Sequence, residues 1–262
     1  YTISGTARYE GTNKLGKSRS ARWLPTWNVS GAWNAHEEKF WKYMEPAVSN
    51  FTLKASYSLT ADRGPANVTN SLAIVQSYNP WRPFTNVKES GLQIIEAENS
   101  DLTYEKKHEL NIGAEVGFIE NRINLAFDWY KRNNFDLIGL VNSAGTGVKI
   151  TKYANVASMK SHGVEFTLST KNIKTKDFDW NSDFIFSHAK NEVTDLHSNS
   201  RIIEMISGTG FTMAGYPVRS LFSIDFQGLN QYGQPTFINE SGNLTVSDLN
   251  FQETIKKEHL VY

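Results

Sequence analysis

Between Leu102 and Leu137 apolar and polar residues alternate. His108, Leu110, Ile112, Ala114, Val116 and Phe118 take every second position, with Glu109, Asn111, Gly113, Glu115 and Gly117 between them. Successive side chains of a strand point to opposite faces, so this run predicts a strand with one apolar and one polar face. Ile119 to Asn121 read as a turn. Beyond it Ile123, Leu125, Phe127 and Trp129 alternate with Asn124, Ala126 and Asp128. The stretch predicts a long β-hairpin. Each run is about ten residues, enough for a tilted strand to cross a bilayer, whereas globular strands average about five or six. Glu115 and Asp128 carry charge in mid-strand, which predicts that the polar face meets water rather than a packed core.

The same period recurs along the chain. Strands are predicted over Tyr1–Glu10, Trp23–Ala35, Phe51–Thr60, Gly163–Thr170 and Phe178–His188, which makes seven long strands with the central hairpin. A helical turn is expected around Glu38 to Met44. From Asn191 the alternation weakens to short extended pieces around Ser220–Phe226 and Gln234–Ile238. The connections after strands two, four and six are short or moderate. Those after strands three, five and seven (Ala61–Asp101, Ile138–Ser161 and Asn191–Asn250) are long, and the first, Gly11–Arg22, is intermediate. Antiparallel strands put alternate connections at the same end, so the long ones are expected together.

Short links at one end and long loops at the other fit an all-β fold, an antiparallel transmembrane β-barrel segment with about seven long strands of a larger barrel. Trp23, Trp33, Trp129, Tyr130 and Trp180 are expected to form an interfacial aromatic girdle. A soluble sandwich, with its apolar faces inward, is the alternative that alternation by itself leaves open.

Composition narrows the chemistry. The formal net charge is zero, so no broad pull toward nucleic acid follows. No cysteine is present, which excludes disulfides, thiolate metal sites and a cysteine nucleophile. No apolar run is long enough for a transmembrane helix. The six histidines show no metal-ligand spacing, so neither a metal nor another cofactor is expected, and catalysis is not supported. Asp195, His197 and Ser198 read as a polar loop, because a triad needs geometry built by the fold. Asp177 and Asp179 read as a solvated turn that lacks the other oxygens of a calcium loop. Lys14 to Arg22 read as a solvated basic loop, with contact to outer-leaflet lipid phosphate as the weaker alternative.

A resemblance runs along nearly the whole chain. Arg8-Tyr9-Glu10-Gly11 with Trp23-Leu24-Pro25-Thr26 and Gly31-Ala32-Trp33 resembles an R-Y-D-G … F-P-S … G-W block. Leu53-Lys54-Ala55-Ser56-Tyr57 resembles L-R-A-S-Y-G, and Asn99 through Glu105 resembles N-P-D-L-K-W-E. Asn121-Arg122 and Asp128-Trp129-Tyr130-Lys131 match the next hairpin. Asn155-Val156 and His162-Gly163-Val164-Glu165 resemble N-V-G … N-K-G-V-E. Gly215-Tyr216-Pro217, Gly228 and Gly233-Gln234-Pro235-Thr236-Phe237 resemble G-Y-P … G … G-x-P-x-F. No single piece is specific, but six in order at these intervals resemble the C-terminal barrel of SusC-type TonB-dependent outer-membrane transporters. Leu24, Ser58, Ser100 and Tyr104 depart from that pattern, standing for Phe, Gly, Pro and Trp.

The resemblance implies a bacterial outer-membrane location, with short links toward the periplasm and long loops outside. It implies a nutrient importer, for glycans or other substrates such as peptides, that works with a SusD-like surface lipoprotein, the TonB complex and outer-membrane lipid. It also implies that 1–262 is a partial barrel, since no plug domain, TonB-contacting segment or closing strand is found in it. A non-transporting lectin- or adhesin-like surface module and a siderophore-type receptor are the alternatives. Tyr78, Trp81 and Phe84 are the candidate substrate- or lid-contacting residues. They lie in a long loop stiffened by Pro80 and Pro83, and aromatic rings stack on the apolar faces of sugars. Packing of the loops against one another is the competing explanation.

Overall fold

The structure, a computed structural model, describes residues 1–45, 47–65, 72–80, 90–96, 98–142, 151–197, 211–239, 241–247 and 260–261. The chain divides into two units, 1–190 and 191–262.

The first unit is built on a sheet of long strands. These are β1 (Thr2–Gly11), β2 (Trp23–Asn34) and β3 (Val48–Asp62). After the short pair β4 (Ile74–Tyr78) and β5 (Gly91–Glu96) come β6 (Glu105–Phe118), β7 (Ile123–Asn142), β8 (Thr151–Lys174) and β9 (Asp179–Leu196). The sheet order is β1-β2-β3-β6-β7-β8-β9, so every long strand neighbours the next one in sequence, as the alternation predicts. One helical turn, α1 (Arg19–Arg22), caps the β1–β2 connection; Ser18 Oγ accepts from Ala21 N at 3.1 Å. The turn expected near Glu38–Met44 is present as 3-10 turns at Ala35–Glu37 and Lys39–Tyr43.

Two of the expected long connections contain strand. The β7–β8 pairing continues past Ile138 to Asn142↔Thr151, so most of Ile138–Ser161 is ladder. The ladder is interrupted twice, between Asn134 and Leu137, where Asp136 takes a φ of 58°, and between Leu137 and Ile138. A bulge adds an unpaired residue and shifts the side-chain phase, which breaks period two in the sequence. Within Ala61–Asp101, β4 and β5 form a separate two-stranded hairpin.

The β6–β7 turn holds three successive non-glycine residues in the left-handed region, Ile119, Glu120 and Asn121 (φ 49°, 53° and 59°). This conformation costs roughly 1–2 kcal/mol per residue. Tertiary contacts offset the cost. Ile119 N donates to Ala47 O at 3.1 Å, Asn121 N to Ser49 Oγ at 3.2 Å, and Asn50 Nδ2 to Asn121 Oδ1 at 2.9 Å.

In the second unit Val193 is buried and exchanges backbone hydrogen bonds with the Gly215–Tyr216 corner. β10 (Ser223–Ile224) pairs with β14 (Leu260–Val261). β11 (Phe226–Leu229), β12 (Pro235–Ile238) and β13 (Leu244–Thr245) form a meander. Its two turns are built alike. Asn230 Oδ1 accepts from Gln234 N at 3.0 Å, and Asn239 Oδ1 from Asn243 N at 2.9 Å. Gly233 and Gly242 occupy the positive-φ position of each turn (74° and 79°).

Candidate functional site

The register resolves the large sheet into rows. Gly31, Ala55, Ile112, Trp129 and Val164 stand opposite one another on five successive strands, and Trp33, Leu53, Ala114, Phe127 and Phe166 form the next row. These rows lie on one face. The other face carries Ala32, Lys54, Gly113, Asp128 and Glu165 in one row and Ser30, Ser56, Asn111, Tyr130 and Gly163 in the next. On the apolar face Leu53, Tyr57, Ile112 and Phe127 are 38%, 44%, 46% and 41% exposed, so they point into no packed core. That exposure removes the soluble-sandwich reading. A continuous exposed apolar face backed by a hydrated one is the wall of a transmembrane barrel.

The apolar band crosses the rows at an angle. On β2 it ends at Trp33, which the register puts opposite Phe127 of β7, yet on β7 it continues to Ile123. The lower border has slid four residues, about 13 Å along a strand. It does so over three strand spacings, about 14 Å. The inclination is therefore about 40°, within the range of about 35–45° for strands of membrane barrels.

Aromatic rings gather toward both ends of this face. Trp27, Tyr57, His108 and Phe135 form a chain across four strands. Successive centroids are 5.3, 5.7 and 5.6 Å apart. At the other end Trp41 stacks on Phe51 at 5.6 Å and Trp33 Nε1 donates to Glu38 at 3.2 Å. Trp23 joins the girdle through a 5.1 Å stack on Tyr9. Tyr130, expected in the girdle, is on the opposite face, because adjacent strand residues cannot share one. It is buried. Its hydroxyl lies over Gly163, where an added Cβ would sit 2.5 Å from the oxygen, and its ring lies under Arg132 at 4.1 Å. Trp129 lies on the apolar face at the border of the band, partway along β7.

The polar face carries balanced charge. Glu109 accepts from Lys107 at 2.8 Å and Arg132 at 3.0 Å, and Lys54 pairs with Glu115. Thr2, Ser4, Ser30, Lys54, Ser56 and Asp128 line a depression of about 320 Å³ on this face. Hydroxyls with one cation and one anion suit a polar ligand without strong net charge.

The first and third connections meet the loop-side ends of β7 and β8 at one end of the sheet, as strand parity requires. Leu15, Leu102 and Tyr104 form a buried cluster with Leu24, Ala61, Ile138 and Tyr153 packed against it. Gly16 N donates to Leu102 O at 2.8 Å and Lys17 N to Ser100 O at 2.9 Å. Asn155 is the hub. Its Oδ1 accepts from Thr103 N at 2.9 Å, and its Nδ2 donates to Thr103 O at 2.9 Å and Asp136 O at 2.6 Å. Asn99 Nδ2 reaches Tyr153 O at 2.7 Å, and Ile138 N donates to Glu105 at 2.8 Å. Burial first, and then the charge of Glu10, push the Tyr104 phenol above its ordinary value against the smaller opposing pull of Arg63. None of these residues except the motif positions stood out in the sequence. Their signal was the pair of motifs around Asn99–Glu105 and Asn155.

Of the candidate ligand residues, Tyr78 ends β4, is half exposed and lies against its register partner Gly91. Trp81 and Phe84 lie outside the described residues. Asp195 and His197 approach to 3.5 Å in an exposed position, and Ser198 lies outside the described residues. Among the described residues no group of His, Asp and Glu could hold a metal ion.

The comparisons agree with this architecture. Residues 1–251 match the family described as TonB dependent receptor-like, beta-barrel. TonB-dependent receptor SusC of Bacteroides thetaiotaomicron is 29% identical over 202 residues, 75% of this chain and 19% of that protein. TonB-dependent receptor P3 of Formosa agariphila is 24% identical over 243 residues, 89% of this chain and 23% of that protein. The chain thus spans about a fifth of the length of these relatives. A solved structure of the RagAB peptide transporter superposes with a TM-score of 0.78 at 25% identity, covering 97% of this chain and 28% of that one. The chain belongs to the TonB-dependent receptor-like β-barrel family, and its seven long strands are adjacent strands in the wall of an outer-membrane barrel.

Proposed function

We propose that this wall belongs to a TonB-dependent importer that carries polar oligomers, glycan or peptide, across the outer membrane beneath a SusD-like lipoprotein. The observation that carries the reading is the polar face. Its row of Ser4, Ser30, Ser56 and Asn111, flanked by Lys54 and Asp128, offers hydrogen bonds of both senses and no net charge. A catalytic protein would need convergent reactive groups, and a siderophore receptor a site matched to a metal chelate. The resemblance to a peptide transporter supports import of oligomers, and that to SusC supports a TonB-dependent receptor. Tyr78, Trp81 and Phe84 are the residues proposed to meet the ligand or the lid. The test is uptake of labelled oligosaccharide and oligopeptide pools by cells bearing the full-length protein. Ser30→Trp and Ser56→Trp, which fill the depression, should reduce uptake at least tenfold, on the order of losing one or two good polar contacts, without loss of assembled barrel. Unchanged uptake of both pools in these variants overturns the proposal.

A further inference from the structure

We propose that Lys131, Lys160, His162, His188 and Lys190 bind the phosphate groups of a phosphorylated lipid in the outer leaflet. The five residues continue the lipid-facing side directly above the apolar band. On β7 Trp129 is followed on that face by Lys131, and on β8 Val164 is followed by His162 and then Lys160. On β9 the rings of Phe184 and Phe166 meet at 6.2 Å, which puts Phe184 on the lipid side. Alternation then puts Phe186, His188 and Lys190 on the same side. Lys131 and His162 are direct register partners. All five are exposed.

The positive charge of the three lysines is uncompensated. Among the described residues none of the five takes part in an ion pair, whereas on the opposite face Glu109 is shared by Lys107 and Arg132 and Lys54 pairs with Glu115. An anion lying among the three lysines would balance their charge, with the imidazoles of His162 and His188 in reach as hydrogen-bond donors. The level is the loop end of the band, the outer-leaflet side in this family, where lipid head groups lie beside the barrel. Lysine stems can lie along the lipid chains while the ammonium groups reach the head-group plane. A doubly charged phosphomonoester satisfies the cluster better than a zwitterionic head group, whose own cation would meet the lysines. The inference rests on the membrane wall and is independent of what the barrel carries.

The test uses the full-length protein in detergent, with diphosphorylated lipid A, the same lipid dephosphorylated, and native mass spectrometry to count bound lipid. The wild type should retain the phosphorylated form selectively. The triple variant Lys131→Gln, Lys160→Gln, Lys190→Gln should lose that preference by about a hundredfold, each lysine near an anionic surface contributing roughly fivefold. The corresponding triple Lys→Arg variant should keep it. Equal retention of the two lipids, or an undiminished preference in the glutamine variant, overturns the proposal. Should that variant fail to assemble, acetylation of the wild type decides: phosphorylated lipid should shield the three lysines, and equal labelling in both lipids overturns it.

Discussion

Arginine placed on the lipid face reads both the membrane orientation and the strand inclination. Ala114 is central in the apolar run of β6, Leu110 to Phe118, with Leu53 and Phe127 as register partners. A guanidinium near the bilayer midplane costs about 2–4 kcal/mol, falling to about 0–1 kcal/mol near the interface. The inclination of about 40° makes a sharper demand, because equal depth does not follow the register rows. Ala55 is central in the run Phe51–Leu59 of β3, and Leu125 lies near the centre of Ile123–Trp129 on β7. They stand one row to either side of Ala114. Ala55→Arg, Ala114→Arg and Leu125→Arg should therefore each cost about 2–4 kcal/mol. Trp129 shares a row with Ala55 through Ile112 but sits at the upper border, where the charge contributes about 0–1 kcal/mol. Asn111→Arg, on the hydrated face, should cost less than about 0.5 kcal/mol. The assay is reversible guanidinium unfolding of the full-length protein in lipid vesicles, followed by tryptophan fluorescence. Costs that follow rows rather than depth would refute the inclination, and no cost at Ala114 would refute the lipid-facing assignment.

Gly163→Ala should destabilise the barrel by about 1–3 kcal/mol, since the new methyl meets the Tyr130 hydroxyl and the His188 carbonyl; adding Tyr130→Leu should recover only part, because the carbonyl stays. Equal midpoints for Gly163→Ala and wild type in the same vesicle titration would rule out this close contact. Asn155→Ala removes three hydrogen bonds at the loop end, one of them to a backbone N–H, so a cost of about 1–3 kcal/mol is expected. It should show as faster amide exchange over 98–104 with the mid-strand amides unchanged. Replacing Trp81 with Ala in the full-length protein should weaken uptake or lid affinity while barrel assembly persists; unchanged values of both would remove that stretch as a contact.

Much of the wall was legible because the bilayer enforces alternation. Between Phe51 and Leu59, or Leu110 and Phe118, one face must satisfy lipid and the other water, and period two records it. Above the membrane both faces are wet, and the constraint lapses. That is why Tyr153–Lys160 and Ile138–Asn142 read as connection although they are strand. The bulge at Asp136 compounds the loss by shifting the phase. The β4–β5 hairpin is invisible for the same reason, with both its faces exposed. Tyr130 shows a different failure. It was grouped with Trp129 by proximity, although parity alone assigns neighbouring strand residues to opposite sides. Its packing on Gly163, 33 positions away, depends on β7–β8 register that one strand cannot display. The candidate ligand residues were legible only as aromatic types in a long loop, because a loop's geometry is not periodic.

Many positions of the motifs that carried the resemblance do mechanical work. Asn99, Leu102 and Tyr104 from one connection meet Asn155 at the top of β8, with Leu15 and Gly16 of the first connection closing over them. Gly163 seats Tyr130 against the wall, and Asn121 holds the strained β6–β7 turn through Asn50. Each of these residues fixes where a connection begins or how two strands lock, and none faces the depression on the polar side. Other positions of the same motifs, Lys54, Ser56 and Asp128, line that depression, so the motif set spans both the mechanics of the wall and its polar face. Tyr78, which we propose meets the ligand or the lid, lies outside this rim in the separate β4–β5 hairpin, and such segments are proposed to add ligand choice to the polar face. A rigid wall with a locked rim lets those segments vary without cost to the barrel, which is the arrangement expected where loops carry recognition.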